Sequence, residues 1–493
     1  MSNHRLDINV STNSAAACSP ACRFDQPRAG SEPVVGFPTI RTNFKRCNRL
    51  LGGTIALTFV LSACSLAPRY RQPDVTIPGD WTSVPGVGIA AQPSATPFWQ
   101  EFGSADLNRL IETALAENRD LEAALHRIEQ ARAQAKVAAS TLYPTINASG
   151  TGSQIFQDSK DSHSLRGGGS VSYELDLWGK NRNQASSAGY RATATEFDRE
   201  ALRLIVTSDV TNFYAQILAL NDRIGIAEFN LKNAEEILRI IEARFAQGAV
   251  SGLEVSQQRV AVNNFRTSLT LLVELRTTSA NALAILLGRA PQNLPLPGAE
   301  LTTLKMPQVN LTPPATLLTA RPDIQSVEAG LRGANADIGA ARAAFFPSLT
   351  LGVDSVIAAG FGGPAAAATS LASSLLAPIF TGGRLTGNLE SVTASQKELA
   401  ALYQKTVLIA FQEVEDALAA LKSNNEQAVL SLESVKESQN AYDISKARFD
   451  AGAIDYLTLL ETQRSLYQAQ DDQISIRQGQ VQSFVQLRKA LGS

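Results

Sequence analysis

The chain is poor in the residues that build metal and redox sites. Its 493 residues include four cysteines and three histidines, and every cysteine falls within the first 64 residues. A disulfide framework or a zinc–thiolate cluster is therefore excluded for the rest of the chain. The three histidines, His4, His126 and His163, leave no plausible metal site either. We expect no metal and no cofactor.

Charge excess and catalytic motifs are also lacking. The net charge is −2 and the pI is about 6.1, so there is no basic footprint for nucleic acid. The chain has no phosphate-binding glycine loop, no G-x-S-x-G elbow and no histidine-centred catalytic cluster. Glu174 and Asp176 are better explained as polar strand residues than as an acid pair. The sequence therefore predicts no catalytic residues and a protein that is not an enzyme.

One apolar run lies near the N-terminus, and it is too short to span a bilayer as a helix. Arg41, Lys45, Arg46 and Arg49 precede about a dozen mostly apolar residues that end in Leu-Ser-Ala-Cys. This order of basic, apolar and small residues is typical of a signal peptide. The last four residues resemble a bacterial lipobox, in which Cys64 would carry the lipid. An ordinary signal peptide that happens to contain a cysteine is the alternative.

The residues on either side of this leader also matter. Residues 1–40 are polar and without pattern, and a signal peptide seldom begins so far into a chain. We expect this extension to be absent from the mature protein, either because translation starts later or because it is removed with the leader. Ser65 follows the cysteine, which by resemblance to other lipoproteins favours release to the outer membrane.

The rest of the chain contains one unit twice. The stretch ARFAQGAVSGL begins at Ala243, and ARFDAGAIDYL begins 204 residues later at Ala447. Three further landmarks recur at nearly the same offset: the YP turn in 141–146 with the FP turn in 344–349, Gly179 with Gly382, and Gly288 with Gly492. Four landmarks in the same order indicate tandem duplication of a unit of roughly 200 residues.

Proline separates the two copies and precedes the first. Six prolines from Pro291 to Pro314 exclude a regular helix there, and six more lie between residues 65 and 100. The predicted organisation is an upstream extension (1–40), a lipoprotein signal peptide (41–63), a lipid-anchored arm (64–104), repeat 1 (105–290), a Pro-rich linker (291–316) and repeat 2 (317–493).

Each copy is predicted to contain a first helix, a very long helix and a return helix. From Asn388 to Ala451 there are 64 residues without Gly or Pro, which as a continuous helix would span about 96 Å. In the first copy, apolar residues from Leu220 to Phe245 recur with alternating spacings of four and three, which predicts coiled-coil hairpins. The predicted helices are 105–140, 190–247 and 253–287, then 317–344, 388–451 and 453–478.

Two segments of each copy alternate with the period of two that strands require. The segments are 145–153 and 169–178, then 348–354 and the weakly alternating 371–380. Each has about the ten residues that a tilted membrane strand needs. A half-buried β-meander in a soluble protein is the alternative. Four strands cannot close a barrel, and open sheet edges do not occur in lipid. If these strands lie in a membrane, several subunits must therefore share one barrel. Three subunits would give a barrel of twelve strands.

Together these features resemble the TolC-like outer-membrane efflux proteins, closest to the OprM/NodT lipoprotein branch. The matching motifs are LAPRYRQPDV after Cys64, the YP and FP turns, YELDLWGKNRN, LLTARPDI and AGAIDYLTLLETQRSLYQAQ. The resemblance implies a mainly α fold with a membrane β-barrel. A homotrimer would share a twelve-stranded barrel in the outer membrane and a twelve-helix α-barrel of coiled-coil hairpins in the periplasm. It also implies a passive duct for small molecules, such as drugs, that works with a periplasmic membrane-fusion adaptor and an inner-membrane pump, usually of the resistance-nodulation-division class.

The resemblance further places functional residues at the periplasmic hairpin tips. Gly248 and Gly452 relieve the two turns. In the second tip, the family's constricting apolar residue falls on Leu457, the acidic residue one turn later on Glu461, and the nearby basic residue on Arg464. Glu461 replaces the usual aspartate, and its longer side chain can fold toward Arg464. An ordinary helix face with a buried leucine and a weak ion pair is the alternative.

The first copy differs at these positions, and the function has open alternatives. Leu253 and Gln257 are the counterparts of Leu457 and Glu461, so only the second hairpin would give a trimer a ring of carboxylates. The outer component of a type I protein secretion system would have the same architecture. A lipid-anchored periplasmic coiled-coil scaffold without a pore would explain the helices and the lipobox, but not the paired strands.

Overall fold

The computed structural model describes residues 65–83, 96–156, 162–293, 295, 297–309, 311–360 and 364–493. The upstream extension, the leader and Cys64 lie outside the described residues, so the lipid attachment stays a prediction.

The two halves contain the same elements in the same order. The first half comprises α1 (Ala105–Glu117), α2 (Arg119–Ala139), β1 (Thr145–Ile155), β2 (Ser162–Leu175), α3 (Lys180–Ala246) and α4 (Gly252–Leu286). The second comprises a helical turn (Leu317–Ala320), α5 (Pro322–Ala343), β3 (Ser348–Gly360), β4 (Ala366–Leu376), α6 (Arg384–Asp450) and α7 (Tyr456–Leu491). Short 3-10 turns occupy Phe98–Phe102, Ser140–Leu142, Pro291–Asn293, Leu301–Thr303 and Pro314–Thr316.

The long helices α3 and α6 have 67 residues each, which corresponds to about 100 Å. The expected starts at 190 and 388 were ten and four residues too late, because they were placed just after Gly189 and Gly387. An interior glycine costs a helix only about 1 kcal/mol, and tertiary packing outweighs that. Likewise α7 passes the expected end at 478 and continues through Gly479 to Leu491.

The long helices begin at equivalent glycines. Gly179 and Gly383 occupy the N-cap positions with φ of 76° and 84°, a backbone conformation that favours glycine. The residue that corresponds to Gly179 is therefore Gly383 rather than Gly382.

The predicted first helices are each interrupted at one residue, Asn118 in the first copy and Arg321 in the second. The Asn118 side chain accepts two backbone amides of α2 at 3.0 Å and donates to the carbonyl oxygen of Leu286 at 2.8 Å. Arg321 precedes a proline, which suits the first turn of α5, and donates to the carbonyl oxygen of Ala490 at 3.0 Å. Each break therefore fastens a helix start to the end of the return helix of its own copy.

The long and return helices end in the same way. Gly248, Gly288, Gly452 and Gly492 have φ between 67° and 79°. At each, the next amide donates to the carbonyl five residues earlier at 2.8–3.1 Å, which is the Schellman arrangement. At Gly288 the backbone of Glu117 lies so close that a Cβ would fall 2.1 Å from its carbonyl oxygen, whereas nothing lies within 4 Å at Gly248 or Gly452.

The main hydrophobic core lies midway along the long helices. There the middles of α3 and α6 meet α1, the ends of α4 and α7, and the 3-10 turns of the linker. Its largest buried side chains include Phe98, Phe102, Ile111, Tyr214, Tyr403 and Phe484. The arm adds Trp81, whose indole N–H donates to the carbonyl oxygen of Thr312 at 2.9 Å. The core thus holds the two copies together far from the hairpin tips.

The four strands form one antiparallel sheet in the order β1-β2-β3-β4. The expected strands at 145–153 and 348–354 lie within β1 and β3. The expected 169–178 and 371–380 were shifted toward the C-terminus, because Ser162 to Gly168 and Ala366 to Ser370 lack alternation but pair with neighbouring strands. The described residues leave the outer edges of β1 and β4 unpaired.

Candidate functional site: the two-faced sheet and the hairpin tips

The sheet has one apolar face. Strand register places Ile146, Val171, Val353 and Leu371 in a single row across the four strands. These side chains are 75%, 36%, 38% and 82% exposed, so the chain itself covers none of them fully. Neighbouring rows on the same face add further apolar residues: Tyr173 with Leu351, and Leu175 with Leu349 and Leu375.

The opposite face is mainly polar, although Val356 and Leu376 also lie on it. Its central row consists of Asn147, Ser170, Asp354 and Ser370, and Glu174 lies on the same face. The strands have 11 to 14 residues, or about 36–46 Å at 3.3 Å per residue. A bare sheet of this length, apolar on one side and polar on the other, is suited to stand between hydrocarbon and water.

The two hairpin tips are built alike but capped differently. In the first tip, Ser251 caps α4, and its amide and hydroxyl donate to the Glu254 carboxylate at 2.5 and 2.6 Å. The hydrogen bonds from Ser251 hold the pKa of the Glu254 carboxyl below its usual range. In the second tip, Asp455 caps α7 by accepting from the amide and hydroxyl of Thr458 at 2.9 and 2.6 Å, which lowers the pKa of Asp455. Both caps fix the first turn of the return helix.

Leu457, Glu461 and Arg464 lie together on one exposed face of α7. Their spacing of four and then three residues is that of a single helix face. Leu457 is 55% exposed, and Glu461 and Arg464 are exposed as well. Within the part of the chain that the structure describes, neither charge takes part in an ion pair. The alternative of a buried leucine beside an ion pair is therefore not what the chain forms.

A neighbouring face of α7 is fastened to the first hairpin. Four polar contacts, here called the inter-hairpin row, follow α7 from its tip: Tyr456 hydroxyl to Gln258 Oε1, Tyr467 with the Ser268 hydroxyl at 3.0 Å, Gln470 with Asn230 at 3.5 Å, and Asp471 with Arg223 at 2.6 and 2.8 Å. Burial raises the pKa of Tyr456 to about 12. No local sequence pattern predicts this row, because its partners lie between 198 and 248 residues apart.

Apolar residues of both hairpins pack around the tip end of this row. The cluster includes Ile237, Ile241 and Val255 of the first hairpin with Phe449, Leu459, Leu460 and Leu466 of the second. The Arg244 guanidinium lies over the Phe449 ring at 4.7 Å. The two tips therefore form one packed unit within a single chain.

One described helix, α4, is long and apolar enough by length and composition to cross a membrane. It packs along α3 as the return arm of the first hairpin. Its outer side carries exposed apolar side chains, namely Leu253, Val260, Leu271, Leu275 and Ile285. The described residues contain no cluster of three or more potential metal ligands.

Comparison with known proteins decides the family. The model of the outer membrane efflux protein family matches the chain twice, over residues 110–289 and 314–493. The chain belongs to the outer membrane efflux protein family. The two matches also have the offset at which the sequence repeats.

Several members of this outer membrane efflux protein family are similar over most of their length. The pyoverdine export outer membrane protein OpmQ of Pseudomonas aeruginosa is 36% identical over 459 residues, which cover 89% of this chain and 95% of that protein. The toluene efflux pump outer membrane protein TtgC of Pseudomonas putida is 33% identical over 463 residues, covering 89% and 94%.

Solved structures of outer-membrane channels have the same fold. The outer-membrane channel OprN aligns with a TM-score of 0.80 at 26% identity, covering 87% of this chain and 99% of that chain. The CmeC outer membrane channel of Campylobacter jejuni aligns with a TM-score of 0.79 at 27% identity, covering 87% and 95%. The predicted family resemblance is thus confirmed, with a mainly helical fold, four strands in the described residues and relatives that are outer-membrane channels rather than enzymes.

Proposed function

We propose that this protein is a passive trimeric duct, the outer-membrane channel of a tripartite efflux system that moves small molecules from the periplasm to the outside. The observation that carries the proposal is the open sheet, with its bare apolar face, its bare polar face and its two unpaired edges. Such a sheet is stable in a membrane only if its edges are closed by other subunits. A periplasmic scaffold would have no use for it.

A trimer would pair the open strand edges and would also cover the exposed apolar side of the helices. In this arrangement β4 of each subunit pairs with β1 of the next, which gives a twelve-stranded barrel with a polar lumen. The long and return helices α3, α4, α6 and α7 of three subunits form the twelve-helix barrel. The exposed apolar side of α4 would then be covered by a neighbouring subunit.

In the same proposal, the second hairpin carries the periplasmic gate. Three copies of Leu457 form a ring that excludes water, and three copies of Glu461 form a ring of carboxylates close to Arg464. The turns at Gly248 and Gly452 are the periplasmic ends of the duct, where an adaptor and an inner-membrane pump of the resistance-nodulation-division class would engage. The lipid on Cys64 anchors the arm in the outer membrane.

The gate is tested by matched substitutions in the two copies. We expect Leu457→Ala with Glu461→Ala to raise the conductance of the trimer in planar bilayers, because both constricting rings are lost. The control is Leu253→Ala with Gln257→Ala, the same positions of the first copy, which should leave conductance unchanged. Equal conductance in wild type and the Leu457/Glu461 variant would contradict the gate. A purified protein that forms neither trimers nor pores would contradict the duct.

The substrate class is tested in a deletion strain. Relatives of the protein are named for pyoverdine export and toluene efflux. We therefore expect the deletion strain to become more sensitive to solvents or antibiotics, or to lose siderophore export. A loss confined to a secreted protein would instead support a type I secretion duct.

A further inference from the structure

A buried glutamine beside the proposed gate has no hydrogen-bond partner in the part of the chain that the structure describes. Gln463 is 1% exposed, and both its Oε1 and its Nε2 are unpaired. An amide buried without partners disfavours the conformation that buries it. This side chain lies two residues after Glu461 on the same helix, but on the side that is turned inward.

The position of Gln463 along α7 makes it a missing member of the inter-hairpin row. It lies seven residues after Tyr456 and four before Tyr467, the spacing of one helix face. Both tyrosines contact the first hairpin, through Gln258 and Ser268 respectively. The second hairpin is therefore hydrogen-bonded to the first hairpin on both sides of Gln463 along α7, but not through Gln463 itself.

A neighbouring subunit cannot supply the missing partner while the tips stay packed, because Gln463 is already enclosed within its own chain. The first copy differs at the equivalent position. Arg259 is exposed there and pairs with Glu242 of its own hairpin at 2.8 Å. The unpaired amide is thus specific to the hairpin that carries Leu457 and Glu461.

We infer that Gln463 sets the balance between packed and separated hairpin tips, and hence between a narrow and a wide entrance. The packed arrangement is favoured by the hydrogen bond from Tyr456 to Gln258 and disfavoured by the unpaired Gln463 amide, which gains water partners when the tips separate. This inference rests on the proposed gate.

The upper limit of the movement follows from the same row. The bidentate pair between Arg223 and Asp471 has side chains only 27% and 18% exposed, and it is the one contact of the row between two charges. Separation would therefore start at the tip and stop below Asp471. The movable part of α7 spans 15 residues from Tyr456, or about 22 Å.

The experiment makes the same chemical change at two buried glutamines. Methionine is an unbranched apolar side chain of similar length to glutamine, so Gln463→Met removes the unpaired amide and keeps the packing. Gln258→Met leaves the Tyr456 hydroxyl and the Ala234 carbonyl oxygen, which Gln258 contacts at 2.6 Å, without their partner. Intact trimers of each variant are compared in planar bilayers.

We expect opposite signs. Gln463→Met should lower the open fraction about fivefold, because the packed state loses its unpaired amide. Gln258→Met should raise the open fraction at least as much, because the packed state then contains two groups without their partner. To make a decrease measurable, Gln463→Met is also placed in a Tyr456→Phe background, whose raised open fraction it should reduce. If the methionine variant yields no trimer, Gln463→Leu replaces it.

The outcomes separate this inference from the gate itself. If Leu457→Ala with Glu461→Ala raises conductance but Gln463→Met leaves the open fraction unchanged or raises it, the inference is wrong and the gate stands. The same holds if the two methionine variants shift the open fraction in the same direction. If no variant changes conductance, both the gate and the inference are overturned.

Discussion

The four glycines that end α3, α4, α6 and α7 provide a test in which backbone conformation is constant and only the surroundings differ. Gly248, Gly288, Gly452 and Gly492 share φ values of 67° to 79°. Alanine at any of them incurs the same left-handed penalty, about 1–2 kcal/mol. Differences among the four alanine variants must therefore come from the space around the new methyl group.

The space available to a Cβ differs among the four positions. At Gly288 a Cβ would lie 2.1 Å from the carbonyl oxygen of Glu117, and at Gly492 2.8 Å from that of Ala320, both of which are backbone. At Gly288 the break between α1 and α2 must move away, which also endangers the 2.8 Å hydrogen bond from Asn118 to Leu286.

We expect Gly288→Ala to destabilise the protein by about 3–5 kcal/mol, the left-handed penalty plus a lost buried hydrogen bond and disturbed packing. Gly492→Ala should cost less than Gly288→Ala. Gly248→Ala and Gly452→Ala should cost about 1–2 kcal/mol, because nothing lies within 4 Å of either position.

The assay is the rate of thermal unfolding of the purified protein at one fixed temperature, followed by helical circular dichroism, since many large proteins unfold irreversibly. The order of rates should be Gly288→Ala, then Gly492→Ala, then the two tip variants together. Equal rates for Gly248→Ala and Gly288→Ala would refute the reasoning, because conformation alone would then account for both.

Two further predictions concern charged contacts near the core. Burial opposes ionisation of the Glu415 carboxyl, but hydrogen bonds from Ser83 and its neighbour outweigh burial and lower its pKa from the usual 4.5. The arm attachment at Glu415 should therefore hold above pH 4.5 and weaken as the pH falls through the lower folded value. Pepsin itself becomes more active in acid, so the measure is the ratio of the rates at which it cleaves the arm in wild type and in Glu415→Gln at the same pH. This ratio should start below one and rise toward one as the pH falls. Arg321→Lys keeps the charge but loses the fork that joins Asp323 and Glu413 at 2.7 Å each, and we expect a loss of about 1–3 kcal/mol, seen as faster thermal unfolding; wild-type rates in this variant would contradict the assigned role.

Much of the architecture follows from periodicity. The heptad spacing from Leu220 to Phe245 and the uninterrupted stretch from Asn388 to Ala451 were sufficient for the coiled-coil hairpins, and strict alternation located β1 and β3. These signals are local, because a side chain's face depends only on its neighbours in the same element.

The predicted bounds were wrong where the conformation of a segment depends on a residue far away in the sequence. β4 begins at Ala366 in a run of alanines without alternation, and only its pairing with β3 makes it a strand. The interruption at Asn118 depends on the carbonyl of Leu286, which lies far along the chain. The packing of the two tips depends on Tyr456 and Gln258, a pair that no spacing rule brings together.

The candidate site was predictable only in part. Family resemblance singled out Leu457, Glu461 and Arg464, and the structure places them on one exposed face, although their role as a gate stays a prediction. Gln463 lies within the same motif but turns to the other side of α7. A sequence motif identifies a segment of helix. Burial in the structure then distinguishes the residues of that segment that are exposed from those that pack against the first hairpin.

The equal lengths of α3 and α6 have a consequence for how this protein can evolve. Both helices have 67 residues, start at a glycine N-cap and end in the same turn. An insertion in one helix would push its tip past the other and break the packing between Tyr456 and the first hairpin. Any change in length must therefore occur in four helices at once. The length of the helical part is therefore a single property that all four helices share and that dates from the duplication of the unit.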